Sequence, residues 1–374
     1  MNLRIGLFFT RGVSLKTWDM VGNLDREVAV YRRMIEEMNS VTFVTYGDAR
    51  DLSYADRLGG ITILCNERNL GLEEYESHLH EIHKDSFKDF DIIKTNQMYG
   101  AELALTIAKE FGKPFIARCG YMWSKNCLRE QGPDSPITKE ALRVEARVFD
   151  GADSIFVTTS EMARDVLSRL SRAENKLNVV PNYVDTDVFR PLGIPKRPNT
   201  LIFVGRIAPE KNLEALFEAI QPLDVRLIVV GEGRLRPSLQ EKYAHMGKMI
   251  DWEGGIRNSE LPKYINSAGA FILPSLYEGH PKSLIEAMAC ASPVIGCDSP
   301  GIREIITDGQ NGLLCGTDAV SIRGAISRIL SDKALAETMG RNASEFVQRN
   351  CSLDTIAKLE LSLIKETHRN ASTH

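Results

Sequence analysis

The sequence predicts an α/β protein made of two parallel-sheet units, each with helices on both faces of its sheet. Three observations carry that expectation. Short apolar runs alternate with helical patterns along most of the chain, as βαβ units require. The alternation breaks once, over residues 181–198, where PNYVDTDVFRPLGIPKRP holds four prolines and no helical periodicity, the composition of a linker. It resumes at residue 201, and the 374 residues suffice for roughly two or three domains, each with its own core.

Taken in order, residues 3–9 read as a buried strand and 11–23 as a loop. Leu24, Val28, Tyr31, Ile35 and Met38 recur at helical spacing with charges between them, which predicts an amphipathic helix. Strands follow at 41–46, 61–65, 91–94, 114–117, 154–157 and 177–180, with helices at 73–83, 101–111, 139–149 and 161–170. Beyond the linker come strands at 201–204, 225–230 and 249–252, helices at 213–220, 235–245 and 260–267, and the apolar run Phe271, Ile272, Leu273. From Thr317 to about Glu366 the pattern is nearly all helix, to cover the second sheet or cross back to the first. The expected domains are 1–185 and 186–355, with 356–374 a C-terminal helix returning to the first.

Hydrophobic and charged fractions of 43% and 26% are those of an ordinary globular protein. A net charge of −4 argues against nucleic acid as a partner bound through a bulk basic field. The seven cysteines form no CxxC pair, which reads as reduced thiols in a cytoplasmic protein. The N-terminus MNLRIGLFFT lacks a cleavable leader pattern, and no run reaches membrane-spanning length.

The richest stretch is PSLYEGHPKSLIEAMACASPVI, residues 274–295. It follows a buried strand at the edge where open α/β sheets bind ligands. Pro281 suits the first position of a helix, whose start would aim free N–H groups at the loop. Glu278 before that helix and Glu286 inside it can reach different parts of one ligand. His280, in the same loop, reads equally as a ligand contact or a structural residue. The second unit opens with LIFVGRIAPEKN, where Gly205 permits close approach and Arg206 and Lys211 suit a diphosphate; an ordinary turn with surface cations is the plain alternative. Gly231 and Gly233 lack the third glycine of a dinucleotide turn, so nicotinamide and ATP are rejected. Asp89 to Asp91 and Asp185 to Asp187 are DxD triplets, and His78, His80 and His83 a histidine cluster. The triplets are short, common patterns, one at a strand start and one in the linker, which argues against a metal role, and the histidines' helical spacing reads as a solvated helix face. Tyr121 and Trp123 are candidates for an acceptor pocket, with burial the equal alternative.

With these motifs in hand, the chain resembles the retaining glycosyltransferases of family 4, of GT-B fold. EGHPKSLIEAMACASPVIG, GRIAPEKN, ELPKYINSAGAFILPS and GIREIITDGQNGLL occur in the family's order, preceded by VTTSEMARDVL and PNYVDTDVFRP. The resemblance implies two facing Rossmann-like domains with an interdomain cleft and a nucleotide sugar held mainly by the second. It implies that Glu286 holds the ribose hydroxyls, that Glu278 contacts the donor sugar, and that Arg206 and Lys211 neutralise the diphosphate. Gly205, Gly279, His280 and the amides of Ser283 and Leu284 would complete the donor site, and Ile256 and Arg257 would choose the base. Glu278, Arg206 and Lys211 are the expected catalytic residues, with no metal and no cofactor. In the first domain the family's glycine pair stands as Gly22 and Asn23, and Arg118, Cys119 and Gly120 replace the histidine many members carry there. Arg118, Tyr121 and Trp123 are therefore the acceptor-side expectation.

The function so expected is transfer of a sugar from a nucleoside diphosphate sugar to a hydroxyl acceptor, in surface polysaccharide or glycolipid assembly. The partners are a nucleotide sugar and a saccharide or lipid-linked acceptor, with peripheral contact at the inner face of the membrane by family analogy. A sugar-nucleotide epimerase and a binding-only subunit are the rivals.

Overall fold

The computed structural model describes residues 3–372. The chain forms two compact units, one of residues up to Pro181 together with those from Ile356 on, the other Asn182–Thr355. Each is built on one parallel sheet.

In the first unit β1 (Arg4–Phe8), β2 (Ser40–Asp48), β3 (Thr62–Asn66), β4 (Ile92–Thr95), β5 (Phe115–Cys119), β6 (Ser154–Val157) and β7 (Leu177–Val179) lie in the order β3-β2-β1-β4-β5-β6-β7. Every pairing is parallel. Strands buried on both faces read as continuous apolar runs, which is why they were visible in the sequence. Several helices were not, the short Ala55–Leu58 and Lys84–Asp89 among them. Leu15–Met20 falls in the expected loop; a capping box between Ser14 and Thr17 starts it and Leu15 and Trp18 alone are buried. Trp123–Gln131 is largely polar, with Ser124 and Cys127 its buried positions.

In the second unit β8 (Arg197–Val204), β9 (Arg226–Val230), β10 (Ile250–Gly254), β11 (Ala268–Leu273), β12 (Val294–Cys297) and β13 (Leu313–Cys315) take the order β10-β9-β8-β11-β12-β13. The three-residue edge strand β13 carried too short a pattern to be foreseen. The chain runs outward from β8 through β9 to β10, then returns to β11 on the other side of β8. The loops after β8 and β11 therefore part around a crevice, where doubly wound sheets hold their ligands. Leu201, Phe203, Phe271 and Leu273 are buried beneath it and fix both strand ends.

The all-helical tail resolves into Ala319–Ser331, Lys333–Asn350 and Leu353–Ala371. From Ile356 onward the last helix belongs to the first unit. There the carboxylate of Glu360 meets the Lys94 ammonium at 2.8 Å, with both side chains nearly sealed from solvent. Among the described residues no helix is long and apolar enough to cross a membrane.

Candidate functional site

The loop after β8 and the loop after β11 are joined twice. Leu276 N–H donates to the Glu210 carbonyl at 2.8 Å. The Lys211 ammonium donates to Glu278 Oε1 at 2.5 Å, with both side chains mostly buried. Arg206 is three-quarters exposed at its side chain and is steadied by the buried carboxylate of Glu210, 2.9 Å away. Two cations and two carboxylates thus stand at one switch point, Lys211 paired out of solvent and Arg206 paired while largely exposed.

Gly205 directly follows β8, its N–H bonded to the Val230 carbonyl. The two glycines after β9 serve this approach: a Cβ on Gly231 would stand 2.0 Å from the Gly205 carbonyl oxygen. The Gly/Glu/Gly turn is shaped by packing against its neighbour loop.

Pro281 stands one position before the expected place, as the N-cap with φ −70° and ψ 113°, and the helix proper is Lys282–Ala289. No side chain caps that helix and its first turn holds no acidic residue. The first-turn amides, Ser283 and Leu284 among them, therefore face the loop with the positive end of the helix dipole. Gly279 and His280 precede it. The His280 ring is buried, and its carbonyl accepts from Asn182 Nδ2 at 2.6 Å. From the far side, Glu278 N–H donates to the Pro300 carbonyl at 3.3 Å, and Ser299 Oγ to the Ser275 carbonyl at 3.1 Å. The segment after β12 therefore buttresses the carboxylate loop.

Glu286 is only 1% exposed, so its carboxylate needs partners. One is Asn258, whose Nδ2 donates to Glu286 Oε1 at 2.9 Å. Asn258 follows Ile256 and Arg257 in the loop after β10, which brings those two to the same edge of the sheet. Burial, and after it the charge of Glu286, pushes the Cys290 thiol at the helix end up to about 12, leaving an inert thiol. Sequence reasoning missed Asn258, Glu210 and Ser299. They are single polar residues in loops, and nothing in their local pattern signals a contact tens of residues away.

Gly22, Arg118, Tyr121 and Trp123 lie in the first unit. Gly22 is in the turn between the helices Leu15–Met20 and Leu24–Ile35. Arg118 donates from Nη1 to the Val180 carbonyl at 2.7 Å. Trp123 is half-buried with its ring edge on Tyr99, centroids 4.9 Å apart, while Tyr121 is exposed. Tyr99 also meets Arg11, which forks onto Glu76 at 2.8 and 2.9 Å, a group the sequence did not indicate.

The remaining motifs have structural occupations. Asp91 is bound by the Arg4 guanidinium and Arg4 N–H, and Asp89 lies 3.5 Å from the same guanidinium. Asp185 Oδ1 accepts the Asp187 N–H. His83 corrects the expected solvated face: it is buried against Phe87, its Nε2 2.9 Å from the Tyr75 hydroxyl, and burial lowers its pKa below the ordinary 6.5. Among the described residues no group of three or more His, Cys, Asp or Glu could hold a metal ion.

Residues 184–346 match the family model for glycosyl transferases group 1, and residues 28–188 that for glycosyltransferase family 4. The chain belongs to the family 4 glycosyltransferases, of GT-B fold. It is 26% identical over 68% of its length to a D-inositol 3-phosphate glycosyltransferase of Thermomonospora curvata, and 25% identical over 67% to an uncharacterized glycosyltransferase of Methanocaldococcus jannaschii. Each match spans 66% of the relative's own length. In three dimensions this glycosyltransferase-family chain is similar to a sucrose-phosphate synthase from Thermosynechococcus elongatus, at TM-score 0.80 and 20% identity over 99% of this chain and 100% of that one. It is also similar to Anabaena HepE, solved with UDP and glucose, at TM-score 0.78 and 15% identity over 98% and 100%.

Proposed function

We propose that this protein is a retaining, metal-independent glycosyltransferase that moves a hexose-type unit from a nucleoside diphosphate sugar to a hydroxyl acceptor. The observation that carries the reading is the Lys211–Glu278 pair at the switch point, beside Arg206 and an uncapped helix start. A diphosphate suits that set: it can take Glu278's place on Lys211 and accept the free amides at the helix start. Glu278, released from the ammonium, is then a hydroxyl acceptor for the sugar. Glu286, held from the side by Asn258, offers a carboxylate to the ribose hydroxyls.

Chemistry follows from that placement. As the bond from anomeric carbon to phosphate oxygen lengthens, negative charge grows on the leaving diphosphate, and Lys211, Arg206 and the helix dipole stabilise it where it develops. These fixed positive charges take the part a divalent ion takes elsewhere. The acceptor oxygen attacks from the face the phosphate leaves, and its proton passes to a departing phosphate oxygen. The new glycosidic bond thus keeps the donor's anomeric configuration. Relatives named as glycosyltransferases support the reaction class. For the acceptor we propose a saccharide or lipid-linked saccharide, used at the cytoplasmic face of a membrane in polysaccharide or glycolipid assembly.

Turnover tests the reading. Purified protein incubated in EDTA with UDP-, GDP- or ADP-sugars and a panel of glycoside acceptors is expected to give an acceptor-dependent product of retained configuration. Arg206→Ala, Lys211→Ala and Glu286→Ala should each lose about a hundredfold or more. Wild-type turnover in all three folded variants would contradict the assignment. Acceptor-independent product with solvent hydrogen in the sugar would mean an epimerase, and donor binding with no product a binding subunit.

A further inference from the structure

Glu286 is gripped from outside its own helix by the side chain of Asn258. Asn258 opens the short turn Asn258–Glu260 after β10, and its Nδ2 donates to Glu286 Oε1 at 2.9 Å across 28 positions of sequence. Asn258 is half-buried, whereas Glu286 is 1% exposed.

This bond is more than packing, by its chemistry and by its place. A carboxylate has about four lone-pair sites, and an amide N–H occupies one while leaving the charge intact. An Arg or Lys at that position would satisfy more of them and compete with any hydroxyl ligand. A neutral single donor fixes the orientation of the carboxylate and preserves its appetite for O–H groups. The strand order puts β10 two strands from β8, on the side away from β11. At the usual strand spacing that is roughly 10 Å from the Lys211–Glu278 pair, the reach from a bound diphosphate to its ribose and base. Glu286 lies on the helix after β11, yet its carboxylate meets the loop after β10. The bond therefore spans the nucleoside side of the crevice.

We infer that Asn258 is a positioning residue for the nucleoside: it holds the Glu286 carboxylate in the orientation that accepts the paired ribose hydroxyls of a nucleoside diphosphate. The inference rests on the ribose-binding reading of Glu286 given above. Because Asn258 acts on the ribose contact alone, its loss matters only while those hydroxyls are present.

Calorimetric titration tests it, using UDP, GDP and ADP and the 2′,3′-dideoxy form of whichever binds tightest. Asn258→Ala should weaken the ribonucleotide about tenfold and leave the dideoxy form within about twofold, at an unchanged melting temperature. Asn258→Asp keeps the size but sets a second carboxylate against Glu286, and should weaken the ribonucleotide at least as much. Wild-type affinity in both variants overturns the inference. So does equal weakening of the ribo and dideoxy forms, which would make Asn258 a general loop support. Glu286→Ala separates the two levels: if it binds as wild type does, or if wild type binds none of the three diphosphates, the donor reading fails and the inference with it.

Discussion

At Gly301 the backbone passes through the left-handed region, at φ +79°, and a Cβ there would stand 1.9 Å from the Gly279 carbonyl oxygen and 2.6 Å from that of Glu278. Both obstacles are backbone, so neither can swing aside. Gly301→Ala must push the carboxylate loop off the segment after β12, breaking the Glu278 to Pro300 bond. The expected outcome is a loss of about 1–3 kcal/mol in stability and a weaker donor titration. Wild-type melting temperature and affinity in that variant would show that the buttress does not set the loop. The candidate cations and carboxylates were legible in the sequence because each stands in a short motif at a strand end. Gly301 was not, since its importance comes from what lies opposite it in space.

At the scale of elements, two helices hold charged groups where charge is costly. In Lys282–Ala289 every residue from Leu284 to Ala289 is buried, so Glu286 has no freedom to move without the helix moving. In the last helix, Glu360 is matched to Lys94 on β4, and Lys94 also donates to the Tyr31 hydroxyl at 2.8 Å. Desolvation pulls the Lys94 pKa below its ordinary 10.5, partly opposed by the charge of Glu360. A buried ion pair adds little net stability, but a buried ammonium stripped of its partner is expensive. Glu360→Ala should therefore destabilise the first unit by about 3–5 kcal/mol in urea unfolding, while the double change Lys94→Met with Glu360→Leu should return most of that loss. A single variant as stable as wild type would mean that the pair does not tie the helix down. That this tail is helical was legible. Its partner strand was not, because a lone lysine inside an apolar run gives no sign of which carboxylate it will meet.

Across the whole molecule, the two sheets share one construction, in which the chain winds outward from a first strand and returns on its other side. The regular alternation of apolar runs and helical patterns made that much readable, and the proline-rich stretch marked the boundary. Short or polar elements escaped: Leu15–Met20, Trp123–Gln131 and β13 bury too few residues to leave a periodic trace. The charged residues gathered at the ends of β8 and β11 could be read because they stand in short motifs at strand ends. In the first unit, the ring contact of the candidate acceptor-side residue Trp123 with Tyr99 is one that no motif announces. The switch point of the second sheet is proposed to bind a nucleoside diphosphate sugar without a metal. Titrating UDP-, GDP- and ADP-sugars into the protein in EDTA, with Lys211→Ala alongside, tests it most directly. Saturable binding of at least one donor, weakened by about tenfold or more in the variant, is the expected result; no binding of any donor without added metal, or equal binding by the variant, would overturn the proposal.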